Sequence, residues 1–226
     1  MPEDDPSELF DLYDANGAAL GHVKPRAAVH RDGDWHRSVH LWVVLMSSSP
    51  FPPLVVLQRR SLTKETHPGA VDVSVAGHLQ AGETEEAAVL REAEEEIGLA
   101  LSPSDLVRLG RRRKVNARGV GLLDRELQDL FFARSPVALE ALRPDPDEVS
   151  GVLTVPLAAL RALVAGEVHV ASARELPSAP RALVESVCLA RTELLGGGSH
   201  YFAQALLAIE RHLVGETPVA LALDEL

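Results

Sequence analysis

Three glutamates, Glu92, Glu95 and Glu96, stand close together in the chain. On a helix they fall at i, i+3 and i+4 and share one face. Carboxylates held so close repel one another unless a cation sits between them. Mg2+ is a hard ion that takes oxygen ligands, keeps several waters and accepts phosphate oxygens into its shell. Such a face suits metal-assisted attack of water on a phosphate anhydride. Arg91 lies four residues before Glu95, where it can pair with that carboxylate and orient it. Gly77 and Gly82 flank a loop entering the helix, and glycine lets a backbone approach a metal or phosphate closely. An acidic helix can also be no more than a solvated face, and three glutamates alone would favour that reading.

The elements that must position these residues are legible from periodicity and turn signals. Thr84 can cap a helix over 84–97 and Gly98 can end it. Val39–Met46, Leu54–Gln58, Val71–Val75, Leu127–Ala133 and Val149–Val155 read as strands. Ser47–Pro53 is a turn-rich link, and the Pro144–Pro146 turn precedes the last of these strands. Phe10–Tyr13 and Ala19–Val23 suit a hairpin around Asn16-Gly17. Pro156 opens a helix to about Ala165. Residues 180–195 and 200–213 have helical periodicity, separated by Gly196-Gly197-Gly198. Arg111-Arg112-Arg113-Lys114 reads as a solvated edge, with substrate binding as the alternative. The pattern predicts a mixed sheet with one well-marked helix in the middle and helices after it, an α+β or α/β sandwich. It divides the chain into an N-terminal segment (1–34), a central domain (35–165) and a helical C-terminal extension (166–226).

Bulk properties narrow the class. The 226 residues are 46 % hydrophobic and 24 % charged, ordinary values for a globular chain. The formal net charge of −11 gives no global attraction for nucleic acid. No apolar run is long enough for a membrane span. Cys188 is the only cysteine, so no intramolecular disulfide forms. The acidic start (Glu3, Asp4, Asp5) is the opposite of a signal peptide's basic region. The expectation is a cytoplasmic enzyme acting on a small-molecule substrate.

The segment from Gly77 to Leu99 carries more than a glutamate cluster. It matches the Nudix box, G-x5-E-x7-R-E-U-x-E-E-x-G-U, at Gly77, Glu83, Arg91, Glu92, Glu95, Glu96 and Gly98. With each fixed residue at about 7 % frequency, the chance of such a match is on the order of one in a million. Ala93 stands where the box usually has a larger aliphatic, consistent with a closer helix–sheet contact. The chain thus resembles the Nudix hydrolases. That resemblance implies a central mixed sheet between helices, with the box as a loop–helix–loop. It implies that Glu92, Glu95 and Glu96 ligate Mg2+ (or Mn2+) with help from the Gly77 carbonyl. It makes Glu95 the most critical catalytic residue, braced by Arg91 and Glu83. Family members often form homodimers.

Residues outside the box are similar to isopentenyl-diphosphate isomerase, a branch of the same family, over roughly 7–155. The matching segments are Arg59-Arg60-Ser-Leu-Thr-Lys64, Ser74-Val75-Ala76-Gly77-His78, the pair His30 and His36, and Asp124-Arg125-Glu126. By this resemblance His30, His36, His78, Asp124 and Glu126 build a second metal site, and Arg60 and Lys64 hold the diphosphate. The two histidines are one residue closer than in the isomerases, and loop histidines are often merely structural. His40, inside a strand, reads as packed.

Two departures bear on activity. Ala76 replaces the isomerase's cysteine, and a methyl group cannot move a proton at an allylic carbon. The isomerases also degrade the box, which here is whole. The leading expectation is hydrolysis of a nucleoside-diphosphate-type or isoprenoid-type diphosphate, with Glu95, Glu126 and Glu148 as candidates for the base. Diphosphate isomerisation and a catalytically silent nucleotide- or protein-binding module are the alternatives.

Overall fold

The computed structural model describes residues 7–46, 52–64, 66–117, 123–196, 199–217 and 219–225. The acidic start, most of the Ser47–Pro53 link, Glu65 and Gly197-Gly198 lie outside them. In chain order the elements are β1 (Leu9–Tyr13), β2 (Ala19–Pro25), α1 (Arg26–Asp32), β3 (Trp35–Leu45), β4 (Leu54–Arg60), β5 (Val71–Asp72) and β6 (Val75–His78). There follow α2 (Glu85–Ile97), β7 (Leu106–Ala117), β8 (Leu123–Ser135), β9 (Val149–Pro156) and α3 (Leu157–Ala165). The chain continues through β10 (Val170–Pro177), β11 (Glu185–Ala190), α4 (His200–Leu213) and β12 (Leu221–Glu225).

Along β3, Val39, Leu41 and Val43 alternate with Trp42 and Val44, and all five are fully buried. A strand apolar on both faces must be covered on both. It lies inside a mixed sheet of order β11-β10-β9-β4-β3-β8-β7-β12. The β3–β8 and β7–β12 pairs are parallel, whereas β4, β6 and β8 make antiparallel pairs with β3, β3 and β7. Val39, Leu41 and Val43 pack with Ala88, Val89, Ala93 and Ile97 of α2. Trp42 and Val44 pack with α3 and α4. The sheet is therefore sandwiched between helices, as expected.

The box helix is specified locally. The Thr84 hydroxyl accepts from the Ala87 N–H at 3.2 Å, and Gly98 ends the helix in the left-handed region at φ 64°. Ala93 is fully buried, in keeping with the close helix contact its size suggested. The Val71–Val75 strand is broken into β5 and β6 at Val73-Ser74. Here the Ser74 hydroxyl donates to the Val56 carbonyl (2.5 Å) and accepts from the Val43 N–H (2.7 Å). A side chain thus substitutes for the missing ladder bonds.

Other expectations are corrected. Residues 185–190 form β11, not a helix, because β10 offers an antiparallel partner from Val170–Ala190 to Glu175–Glu185. The helix expected over 200–213 is α4. Arg111–Lys114 is no solvated edge. It lies in β7 between β8 and β12, and Arg112 is only 3 % exposed. The hairpin β1–β2 forms, and β1 also meets β3 at Tyr13 and Trp35.

Candidate active site

Arg91 organises the box. Its Nε and Nη2 donate to the two oxygens of Glu83, each at 2.9 Å. Its Nη1 donates to both Glu92 and Glu95 at 2.9 Å, and its Nη2 also reaches the His78 carbonyl at 3.0 Å. Glu83 in turn accepts from the Gln80 N–H at 3.0 Å. One planar guanidinium thus holds the loop, the helix and the end of β6 together.

The three glutamates differ in setting. Glu92 and Glu96 are buried, whereas the Glu95 side chain is about half exposed. Burial, with Glu95 and Glu8 adding negative charge, pushes the Glu92 carboxyl up to about 7 despite Arg91. A Cβ added at Gly77 would lie 2.1 Å from that carboxyl, so only glycine lets Glu92 rest against β6. Glu96 accepts from the Ala76 N–H (3.1 Å) and the Gln58 amide (3.2 Å). Glu92 and Glu95 turn to Arg91 while Glu96 turns to Ala76 and Gln58, so the three carboxylates would have to draw together to hold a hard divalent cation.

Strand alternation places Ala76 and His78 on the other face of β6. They line a cavity of about 530 Å3 together with Gly77, Arg60 and Lys64. Gly77 lines this cavity and also backs onto Glu92, so the box helix borders the cavity at β6. Arg60 is held by Thr66, with Nε donating to its carbonyl (3.1 Å) and Nη2 to its hydroxyl (3.3 Å). Lys64 is ion-paired with Glu148. Glu148 is thereby joined to the loop that carries Lys64, while its own turn bonds the box helix through the Asp145 N–H and the Glu96 carbonyl (2.9 Å).

The histidines converge. α1 carries His30, β3 carries His36 and β6 carries His78, and their ligand atoms lie within 4.8 Å of one another. The short helix ends at Gly33 in the left-handed region, which turns the chain back into β3 and offsets the closer spacing of His30 and His36. Asp124 Oδ1 lies 3.9 Å from His30 and 3.7 Å from His36. Glu126 is the β8 register partner of His36. Burial alone would raise the Glu126 carboxyl. The Ser38 hydroxyl (2.6 Å) and the Gln128 amide (3.0 Å) donate to it and favour its ionised form.

This cluster fits a transition-metal or Mg2+ ion with one adjustment. His36 Nδ1 faces the Asp34 carbonyl at 3.1 Å and must carry the proton, leaving Nε2 as a ligand atom. At His78 the Arg26 guanidinium occupies Nδ1 at 3.1 Å, so the neutral ring bears its proton on Nε2. Burial and Arg26 keep that ring well below its ordinary value, hence neutral. Ligation through His78 Nε2 requires release of the Arg26 contact.

Some site residues escape sequence reasoning. His40, Asp72, Arg112, Lys114 and Tyr201 all line the cavity. The Trp42 Nε1–H donates to the Tyr201 hydroxyl at 2.9 Å, and that hydroxyl meets His40 Nδ1 at 3.0 Å. Alternation along 111–117 was the one available signal for Arg112 and Lys114.

A mixed sheet between helices, with a capped acidic helix seated on a glycine of one strand, defines an α/β-sandwich protein. Residues 34–175 match the NUDIX domain, and the chain belongs to the Nudix family. Nudix hydrolase 3 of Arabidopsis thaliana is 36 % identical over 152 residues, 66 % of this chain but 19 % of that protein. The chain thus spans about a fifth of that relative's length. An isopentenyl-diphosphate Delta-isomerase of Streptomyces griseus is 33 % identical over 153 residues, 67 % of this chain and 73 % of that one. The crystal structure of DR0079 from Deinococcus radiodurans superposes with a TM-score of 0.51 at 26 % identity, covering 70 % of this chain and 90 % of that chain. Membership supports hydrolysis of pyrophosphate-containing compounds as the reaction class, with a divalent metal as in Nudix hydrolases generally. No helix among the described residues is long and apolar enough to cross a membrane.

Proposed function

We propose that the protein is a Mg2+-dependent (or Mn2+-dependent) hydrolase of an X-diphosphate. The observation that carries this reading is the Arg91 hub, which binds Glu83, Glu92 and Glu95, with Glu92 resting against Gly77. Glu92, Glu95 and Glu96 would hold the metal with the Gly77 carbonyl, and the bound ion would neutralise phosphate charge and lower the pKa of a water. Arg60 and Lys64 line the cavity where phosphate oxygens would pair with them, Lys64 exchanging its Glu148 partner for the substrate. Glu95, half exposed, is the box carboxylate most open to a water; Glu126 is committed to Ser38 and Gln128, and Glu148 to Lys64. Release of orthophosphate or monophosphate from a diphosphate panel tests the reading. Glu95→Gln should lower turnover about 100-fold or more. Equal turnover by that variant removes the role assigned to Glu95.

The convergence of His30, His36 and His78 favours a second reading, isomerisation of isopentenyl diphosphate. Against it, Ala76 stands on the cavity wall where that chemistry needs a thiol. Deuterium incorporation from D2O into isopentenyl diphosphate would establish the isomerase and displace the hydrolase.

A further inference from the structure

The cavity has a second polar wall, built by β7 and β3. Arg112 and Lys114 alternate along β7 and face it, and His40 of β3 joins them. We propose that this wall binds an anionic group on X, a phosphate or carboxylate remote from the diphosphate, so that the substrate is a polar diphosphate charged at both ends. The proposal takes the diphosphate end from the hydrolase reading.

Arg112 and Lys114 both meet Glu225, and the Glu126 and Asp72 carboxylates also act on Lys114. Arg112 Nη1 donates to the Gln128 carbonyl oxygen at 3.0 Å, and Nη2 is ion-paired with Glu225 of β12. Its guanidinium lies 4.4 Å from the centre of the Tyr201 ring, which fixes its plane. Its Nε is buried and has no hydrogen-bond partner. Lys114 lies 3.9 Å from the same Glu225. Burial first, and Arg112 second, hold its ammonium below the ordinary lysine value. A further negative charge at this wall would relieve both.

His40 adds a donor whose tautomer follows from its neighbours. An indole N–H can only donate, so the Tyr201 hydroxyl accepts from Trp42 and turns its own proton toward His40 Nδ1. Burial pushes the His40 ring down to about 4, so at neutral pH it is uncharged and its proton sits on Nε2. His40 lines the cavity. An apolar chain laid against this wall would desolvate the Lys114 ammonium and the His40 ring with no compensating bond. A phosphate or carboxylate would satisfy them. Glu225, carried in by the edge strand β12, already shows that the wall takes a carboxylate, and one of its oxygens is buried without a hydrogen bond.

Calorimetric titration of the whole protein with Mg2+ tests the wall through three diphosphates. They are isopentenyl diphosphate (apolar X), adenosine diphosphate (polar, uncharged X) and 5-phosphoribosyl 1-diphosphate (X bearing its own phosphate). The third should bind at least about tenfold more tightly than the first. Lys114→Met should weaken the third about tenfold and leave the other two within about twofold. Glu225→Gln should strengthen the third. Lys114→Met is preferred to Arg112→Met, because Arg112 also holds Gln128 and Tyr201. Equal binding of all three, uniform weakening by Lys114→Met, or no binding of any overturns the charged wall. Phosphate release read in the same samples is independent: binding with the expected order and no release leaves the wall standing and removes the hydrolase.

Discussion

The carboxylate of Glu92 rests where a side chain of residue 77 would be, 2.1 Å from the Cβ position that Gly77 lacks. The contact couples a box helix to the strand carrying His78 on its opposite face. It makes Gly77 a steric requirement as well as a source of a carbonyl.

Gly77→Ala should therefore displace Glu92 without unfolding the chain. The expected result is a fall in kcat of about 100-fold, with a weaker Mg2+ requirement curve, because a misplacement of about 1 Å costs on that order. Steady-state kinetics across a Mg2+ series checks it, with circular dichroism confirming that the sheet is intact. Wild-type kinetics in the variant would mean that Glu92 is not needed where it sits.

Arg91→Lys keeps the charge and removes the planar fork. An ammonium cannot reproduce the paired bonds to Glu83 together with those to Glu92 and Glu95. Metal affinity or activity should fall about 10- to 100-fold, as for other residues that orient metal ligands. Glu83→Gln should reproduce most of this loss, and the double variant should be little worse than either single one. Additive losses in that cycle would show that the two residues act separately.

The two candidate metal groups lie on opposite faces of β6, so they should bind ions separately. Stripping the protein with chelator and titrating with Co2+ should reveal a nitrogen-rich site through its visible absorption. His36→Ala should abolish that absorption and leave the Mg2+ requirement of the glutamate site in place. Survival of the absorption would remove the histidine cluster as a metal centre.

Acid should destabilise the fold through His40. Burial is the largest influence on its ring, with Arg112 and Lys114 reinforcing it and Asp72 and Glu126 opposing it, and the outcome is a fall from 6.5 to about 4. The native state then binds fewer protons than the unfolded chain between those values. The stability His40 contributes is complete above pH 6.5 and is lost as pH falls toward 4. Urea unfolding at steps across that window should show stability falling more with acid in the wild type than in His40→Gln, the Glu92 carboxyl, raised to about 7, contributing in the opposite sense in both and His78 in the same sense as His40. An unchanged slope in His40→Gln would mean that His40 is protonated in the native state.

The box, its helix and its caps were legible because their causes are local: Thr84 and Gly98 act within one turn, and Arg91, Glu92, Glu95 and Glu96 share a face by helical spacing alone. Most strands were legible from alternation. The convergence of His30 with His36 was indicated by the isomerase resemblance and not by local spacing, because it depends on a short helix and on the left-handed turn at Gly33. Residues 180–195 carry apolar spacing compatible with either periodicity, and the free edge of β10 decided for a strand. Arg112 and Lys114 belong to a run of four basic residues whose composition suggests solvent. Pairing with β8 on one side and β12 on the other turned alternate members inward. What the sequence by itself determined was thus the box and the helical face its carboxylates share, which residue types and helical geometry set at short range. Which side chains face the cavity depended on strand register across the sheet, which only tertiary contacts fix.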